Sequence, residues 1–520
     1  MPRLMLGLVC GFMRSCVSDV TVLFRFCSFA KKVIHLQGNF KTKMEHLQIL
    51  KYTVTIIFTL IVAAVVFVVV TENRNPLKSI AWVLVLVLLP VVGILFYFYM
   101  GQNYRKQKII SKRNIKKIKK HIWQHFIESE VVPVSVADEH KGLVNLLYNN
   151  GEAILYENNE VEIYTDGNEA FTSLFAEMEK AKHHIHIEFY IIENDEIGNR
   201  LKDLLIKKVS EGVMVRLIYD SLGSWKLKKT FLQEMKDGGI EVGSFLRVRL
   251  LPILSEKVNY RNHRKIVVVD GVVGFVGGLN IADRYVKGNK LGVWRDTLIK
   301  INGNAVHGLQ SSFLVDWHFV SQTYIVSAEY YPQNATAGNK LVQTVTSAPD
   351  SDWETILQAF CKLILMAKNY VYIETPYFLP PESLLSTIKI AALSGVDVRL
   401  LTSKNADARF TSIAALSYLR EMMDAGVKVY FYDSGFIHSK TIVIDDSIAT
   451  VGSTNMDFRS FELQFEINSF IYDHDFAVQM RKIYENDQQN SQRVNLSQWE
   501  KREKWQKFKE SIARLFSPVL

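Results

Sequence analysis

A histidine, a lysine, an aspartate, a glycine and an asparagine recur at identical spacings in two distant parts of this chain. The first copy reads His263-Arg264-Lys265, four residues, Asp270, six residues, then Gly277-Gly278-Leu279-Asn280. The second reads His438-Ser439-Lys440, four residues, Asp445, six residues, then Gly452-Ser453-Thr454-Asn455. One H-x-K alone carries no information. Two copies in step through five positions mean that one structural unit is used twice.

The repeat extends upstream. His184 to Tyr190 reads as a strand, Leu201 to Glu211 as a helix and Gly212 to Tyr219 as a second strand. Tyr370 to Tyr377, Ser383 to Leu393 and Gly395 to Leu401 repeat that order, with Glu188 answering Glu374, Gly212 answering Gly395 and Arg216 answering Arg399. Apolar strands separated by helical stretches predict a largely buried sheet covered by helices, an α/β fold. Two such halves place a shared cleft between them. The predicted organisation is an N-terminal extension (1–43, with Met44 a second candidate start), a membrane region (44–120), a first half (121–335), a second half (336–490) and an amphipathic C-terminal segment (491–520).

The 520 residues are 48% hydrophobic, and the excess is local. Tyr52 to Val70 and Ile80 to Met100 are apolar runs, each long enough to cross a bilayer core of roughly 30 Å as a helix. Together they predict a transmembrane hairpin (about 52–70 and 80–100). The formal net charge is +9, and the stretch from Gly101 to Lys120 holds nine lysines and arginines without one acidic residue. Lys41, Lys43 and Lys51 flank the first run in the same way. Basic flanks mark the cytoplasmic side, so both ends of the hairpin are expected inside. A basic patch beside a membrane segment attracts anionic lipid headgroups. The rest of the chain is formally neutral, so no nucleic-acid partner is expected. The four cysteines, Cys10, Cys16, Cys27 and Cys361, show neither disulfide nor zinc spacing.

The doubled H-x-K-x4-D-x6-G-[GS]-x-N pattern resembles that of the phospholipase D superfamily. The words Arg261-Asn262-His263-Arg264-Lys265, Trp294-Arg295-Asp296-Thr297 and Ser453-Thr454-Asn455-Met456-Asp457 are similar to those of bacterial cardiolipin synthases. The similarity runs from the membrane hairpin to Phe516-Ser517-Pro518. It implies two tandem phospholipase D-like α/β sandwich halves sharing a central cleft. It also implies an inner-membrane, multi-pass enzyme with a cytoplasmic catalytic region, which transfers a phosphatidyl group between two phosphatidylglycerol molecules. The related alternatives are a phospholipase D-type hydrolase, a transferase with another acceptor, or a membrane-tethered nuclease.

Metal-free phosphodiester exchange needs a nucleophile that forms a cleavable phospho-enzyme, and imidazole serves near neutral pH. A second imidazole can protonate the departing alkoxide. On a strand, H-x-K puts histidine and lysine on one face. Converging lysines and asparagine amides then stabilise the charge of the transition state, which leaves no role for a metal or other cofactor. The resemblance implies His263 as nucleophile and His438 as general acid, or the reverse. It implies Lys265, Lys440, Asn280 and Asn455 as phosphate-binding residues, with a hydroxyl from Ser453 that Gly278 cannot match. Asp270 and Asp445 complete the catalytic signature, although their setting reads as turn and strand-end. Asp296 and Glu466, each following a motif histidine by a similar distance, are the candidates for orienting the imidazoles. A salt bridge to a nearby arginine is the alternative for each.

Other features are less specific. His184, His186 and Glu188 share one strand face, which suits packing better than a metal site, since the second copy has no matching ligands. Tyr377, Phe378 and Pro380, with Tyr219 and Asp220, sit at strand ends that could line a lipid entrance or serve the core. Between Trp499 and Leu515, aromatic and basic residues alternate. That pattern fits an interfacial helix or a helix docked on the catalytic region.

Overall fold

The computed structural model describes residues 40–71, 76–89, 93–94, 97, 136–246, 259–325, 327–333, 338–404 and 407–519. The chain falls into two compact units, Met1–Asn103 and Tyr104–Leu520.

In the first unit a helix, Phe40–Thr71, contains the apolar stretch Gln48–Thr71, 24 residues with mean hydropathy 3.0. At a rise of 1.5 Å per residue this exceeds the roughly 30 Å of a hydrocarbon core. A second helix, Pro76–Leu88, packs Leu86 against Val65 and Val69 of the first. It has 13 residues, too few to span alone. One helix long and apolar enough to cross a bilayer is therefore present among the described residues. Much of the second apolar run, the basic stretch and most of the N-terminal extension lie outside them.

In the second unit both repeats are built from one strand plan. His184–Phe189 runs parallel to Met214–Asp220, which runs parallel to Glu241–Phe245. Its other edge pairs antiparallel with Ile266–Val269, which turns back into Val273–Gly277 and then meets Leu298–Asn302. The second repeat lays down Tyr370–Glu374, Asp397–Thr402 and Lys428–Tyr432 in parallel, then Thr441–Ile444, Ile448–Gly452 and Gln464–Tyr472 antiparallel. Register repeats as well: His186 faces Arg216 and Tyr372 faces Arg399. Gly212 and Gly395 close equivalent helix-to-strand turns at φ of 91° and 94°. A β-carbon there would touch nothing, so backbone conformation, not space, calls for glycine.

The halves are not separate sandwiches. Lys340–Ser347 pairs antiparallel with Gln464–Tyr472 on one side and with Leu155–Tyr164 on the other, joining the repeats in a single 16-stranded sheet among the described residues. Strands such as Ile266–Val269 and Thr441–Ile444 are buried along their whole length, because helices cover the sheet. The C-terminal segment begins inside this sheet: Ser491–Arg493 pairs with Lys428–Tyr432 at its edge. Two short helices follow, Leu496–Glu500 and Lys504–Arg514, which bury Trp499 and Ala513 against the second-half core.

Candidate active site

Each motif histidine follows a two-residue parallel bridge to the other repeat. Arg261–Asn262 pairs with Gln464 and Phe465, and Phe436–Ile437 pairs with Trp294–Arg295. The backbone N–H of His263 donates to the Phe465 carbonyl at 2.9 Å, and that of His438 to the Arg295 carbonyl at 2.7 Å. The next residue on each partner strand is a carboxylate. His263 Nδ1 consequently lies 2.9 and 3.2 Å from the two oxygens of Glu466. His438 Nδ1 lies 2.5 Å from Asp296 Oδ2. Each carboxylate follows one histidine in sequence and holds the other in space.

These bridges also explain a local departure from expectation. The triplets His263–Lys265 and His438–Lys440 are extended but precede the strands that start at Ile266 and Thr441. There the chain passes from a bridge with the other half to the ladder of its own. Period-two alternation still holds, so each lysine lies beside its histidine. Lys265 Nζ donates to the His263 carbonyl at 2.5 Å; Lys440 Nζ donates to the His438 carbonyl and lies 2.9 Å from His438 Nδ1.

Burial sets the electrostatics. Both imidazoles are about 95% buried, at 6% and 5% exposure. Burial first, then Lys265 and Lys440, pushes both well below the usual histidine range. Burial brings Lys265 down to about 7 and Lys440 to about 8, against the pull of Glu466 and Asp296. The same burial lifts Asp296 to about 6 and Glu466 to about 8. Each lysine acts on both rings, and His263 acts on His438, so the groups from both repeats share one electrostatic neighbourhood. A phosphodiester anion among them would restore proton affinity to lysines and imidazoles alike.

The remaining motif residues divide. Asn280 has its amide held: its oxygen accepts from Ile191 N–H at 3.1 Å and its nitrogen donates to Tyr285 Oη at 2.9 Å. Asn455 Oδ1 is buried without a hydrogen-bond partner. Ser453 differs from its expected place as a phosphate donor. Its hydroxyl donates to Glu466 Oε2 and accepts from Ile467 N–H at 3.0 Å, so it steadies the carboxylate that holds His263.

Asp270 and Asp445, placed in the catalytic signature by sequence, lie at the far end of their strands from the histidines. Each adopts positive φ, 54° and 49°, in a tight turn. Asp270 accepts from the backbone N–H groups of Lys182, His183 and His184, each at 2.8 Å. Asp445 accepts from those of Lys368, Asn369 and Tyr370 at 2.6 to 2.9 Å. Both acids tie down the start of the neighbouring strand, where the backbone donors would otherwise be unpaired.

His184 and His186 do not form a ligand set. His184 Nε2 lies 3.1 Å from Gln310 Oε1, and His186 reaches Gln310 on one nitrogen and Arg216 on the other, at 3.2 Å. Among the described residues no group of three such side chains is placed to hold a metal ion. Asp220 holds the approach to the first histidine, accepting from Asn262 N–H at 3.0 Å and pairing with Arg261 at 3.4 Å. Tyr190 stands edge-on to His263 at 4.9 Å, while Trp294 is 5.0 Å and Tyr285 6.1 Å from His438.

Three supports escaped the sequence reading. Arg264, the middle residue of its triplet, binds the buried Asp316 and donates to the Glu466 carbonyl at 3.2 Å. Arg295 is buried against Asp487 and Glu374 and donates to Thr297. Arg459, in the short helix Phe458–Glu462 capped by Asp457, adds positive potential at His263 from the other repeat. The flanking words contained these residues, but their partners are distant in sequence.

Both repeats have counterparts among known proteins. A family model described as cardiolipin synthase, phospholipase D-like domain, matches residues 174–317 and 360–488, one segment per repeat. A phospholipase D-nuclease N-terminal model matches residues 59–102. A cardiolipin synthase of Alkalihalophilus pseudofirmus is 42% identical over 474 residues, covering 90% of this chain and 94% of that protein. The major cardiolipin synthase of Bacillus subtilis is 41% identical over 477 residues, 90% of this chain and 98% of its own. Among solved structures, the phosphatidylserine synthase of Haemophilus influenzae superposes with a TM-score of 0.56 at 15% identity, covering 74% of this chain and all of that one. That likeness establishes a shared fold. The two matched repeats and the full-length relatives show that this chain belongs to the cardiolipin synthase family of phospholipase D-like proteins.

Proposed function

We propose that the protein is a membrane-anchored phosphatidyltransferase that converts two phosphatidylglycerol molecules into cardiolipin and glycerol. The observation that carries this reading is the pair of imidazoles, each held at Nδ1 by a carboxylate of the opposite repeat. That grip leaves Nε2 as the reacting nitrogen on each ring and fixes its tautomer.

In the first step Nε2 of His263 attacks the phosphorus of one phosphatidylglycerol. The bond from phosphorus to the glycerol headgroup oxygen breaks, and His438 gives its Nε2 proton to the leaving alkoxide. A phosphatidyl-histidine and free glycerol result. In the second step His438 removes a proton from the terminal glycerol hydroxyl of a second phosphatidylglycerol. That oxygen attacks phosphorus, the P–N bond breaks, and cardiolipin leaves with both histidines restored. Lys265, Lys440 and Asn455 meet the phosphoryl oxygens; Asn280 orders the wall beside them. No step passes through a metal.

The membrane arrangement belongs to the same reading. We take the two apolar runs as a hairpin with both ends cytoplasmic, supported by the span at Gln48–Thr71 and by the basic residues from Arg105 to Lys120. Both substrates then lie in the leaflet that the catalytic unit faces.

The test is to incubate purified full-length protein with headgroup- and acyl-labelled phosphatidylglycerol and to separate the products. Cardiolipin and glycerol in equal amounts support the proposal, and turnover should persist in a chelator. Phosphatidic acid as sole lipid product would identify a hydrolase instead.

A further inference from the structure

We propose that the C-terminal helix Lys504–Arg514 is a second membrane contact, seating the catalytic unit on an anionic lipid surface. The proposal rests on the lipid-transferase reading only for its activity arm.

One side of the helix is committed to protein. Ala513 and Glu510 are buried, Arg502 pairs with Glu510 at 2.7 Å, and Arg514 pairs with Glu421 at 2.6 Å while lying over the Tyr418 ring. The other side is apolar and open. Trp505, Phe508, Ile512 and Leu515 follow one another at helical spacing and are 62%, 53%, 41% and 74% exposed. Trp505 and Phe508 stack at 5.3 Å, so their rings form one continuous apolar surface. Phe516, half exposed, continues it to Phe410, 5.8 Å away on the helix Arg409–Asp424. A soluble surface seldom carries such a cluster without a partner.

Its chemistry selects a bilayer as that partner. Lys501, Lys504 and Lys509 are exposed around the stripe, and Lys509 Nζ lies 5.6 Å from the Trp505 ring centre. Tryptophan and phenylalanine flanked by lysine suit the headgroup boundary, where rings enter the acyl region and ammonium groups meet lipid phosphates. The apolar span at Gln48–Thr71 gives the chain a bilayer to meet. Contacts also run from the stripe toward the chemistry. Just before Phe410, Asp407 accepts from Tyr377 Oη at 2.6 Å; Tyr377 lies 6.4 Å from Phe436, itself 5.9 Å from His438. Seating this face on lipid therefore presents to the leaflet the wall that leads to His438.

The test uses the full chain in phosphatidylglycerol-rich liposomes containing bromine-labelled acyl chains, which quench only nearby tryptophans. Comparing the chain with its Trp505→Phe variant isolates the signal of Trp505. A quenched component that disappears in the variant, and weakens when phosphatidylcholine replaces phosphatidylglycerol, is the expected result. A Trp505 signal left unquenched by lipid overturns the proposal, whether iodide reaches the ring from water or a second protein copy shields it. In the activity arm, Trp505→Glu with Phe508→Glu should cut turnover of bilayer substrate at least fivefold. Turnover of a monomeric short-chain substrate should be unchanged, and Trp505→Leu with Phe508→Leu should restore the bilayer rate. Equal rates on bilayer substrate, or equal losses on both substrates, would count against it. Quenching needs no turnover, so failure of the transferase reading would leave that arm intact.

Discussion

Gly278 leaves the space that the carboxylate of Asp296 occupies: a β-carbon at position 278 would stand 2.0 Å from Asp296 Oδ1. The equivalent place in the second repeat holds Ser453, whose hydroxyl binds Glu466. The two substitutions compensate each other. The shorter acid stays close to its own strand and needs glycine beneath it; the longer acid reaches past a serine and is steadied by it. The two histidines thus have unlike supports within a symmetric plan.

Exchanging the support of the first half should be severe. In Gly278→Ser the new side chain displaces Asp296 and frees His438 Nδ1, and kcat should fall by roughly 10²-fold or more, approaching the loss from Asp296→Asn. Ser453→Ala removes one donor while the acid stays in place, so its kcat should fall by about tenfold. Steady-state kinetics on the two variants checks this ordering; a larger loss for Ser453→Ala would contradict it.

The order of the histidines is open to direct capture. With His438→Ala, the first attack lacks its acid but water and acceptor also lack their base. A rapid-quench experiment with acyl-labelled substrate should then show an acid-labile phosphatidyl group on His263. His263→Ala should carry no label. Label on His438 in that second variant would reverse the assignment.

Affinity for the substrate should depend on pH through the lysines. Burial has lowered Lys265 to about 7 and Lys440 to about 8, so both are cations below these values and lose charge as pH rises through them. The substrate phosphodiester remains an anion throughout. KM should therefore rise between pH 6.5 and 9, by roughly tenfold or more if one charge contact worth about 1.4 kcal/mol is lost. Lys265→Met should raise KM at pH 6.5 and leave only the later rise from Lys440 as pH passes about 8.

Asp270 makes a different prediction, because it touches no reacting group. Asp270→Ala leaves three backbone N–H groups at the start of His184–Phe189 without their acceptor. The cost should be about 2–4 kcal/mol, read as a lower Tm in a thermal melt of the solubilised protein. The folded fraction should keep its kcat within about threefold. A collapse of kcat at unchanged Tm would place Asp270 in the chemistry after all.

The sequence by itself determined the doubled unit and the apolar span, and it named the histidines, lysines, asparagines and acids proposed for the site. Spacing and periodicity are local properties, and a chain displays them before it folds. It also hinted that Asp270 and Asp445 close turns, since short acids tolerate left-handed backbone. Only the tertiary structure decided that Glu466 serves His263 and Asp296 serves His438. It also decided that Ser453 steadies an acid and that the halves merge through Lys340–Ser347 into one sheet. Those outcomes rest on which strand edges meet across hundreds of residues. The pairing of edges is fixed by burying both sheet faces at once, which no window of sequence contains.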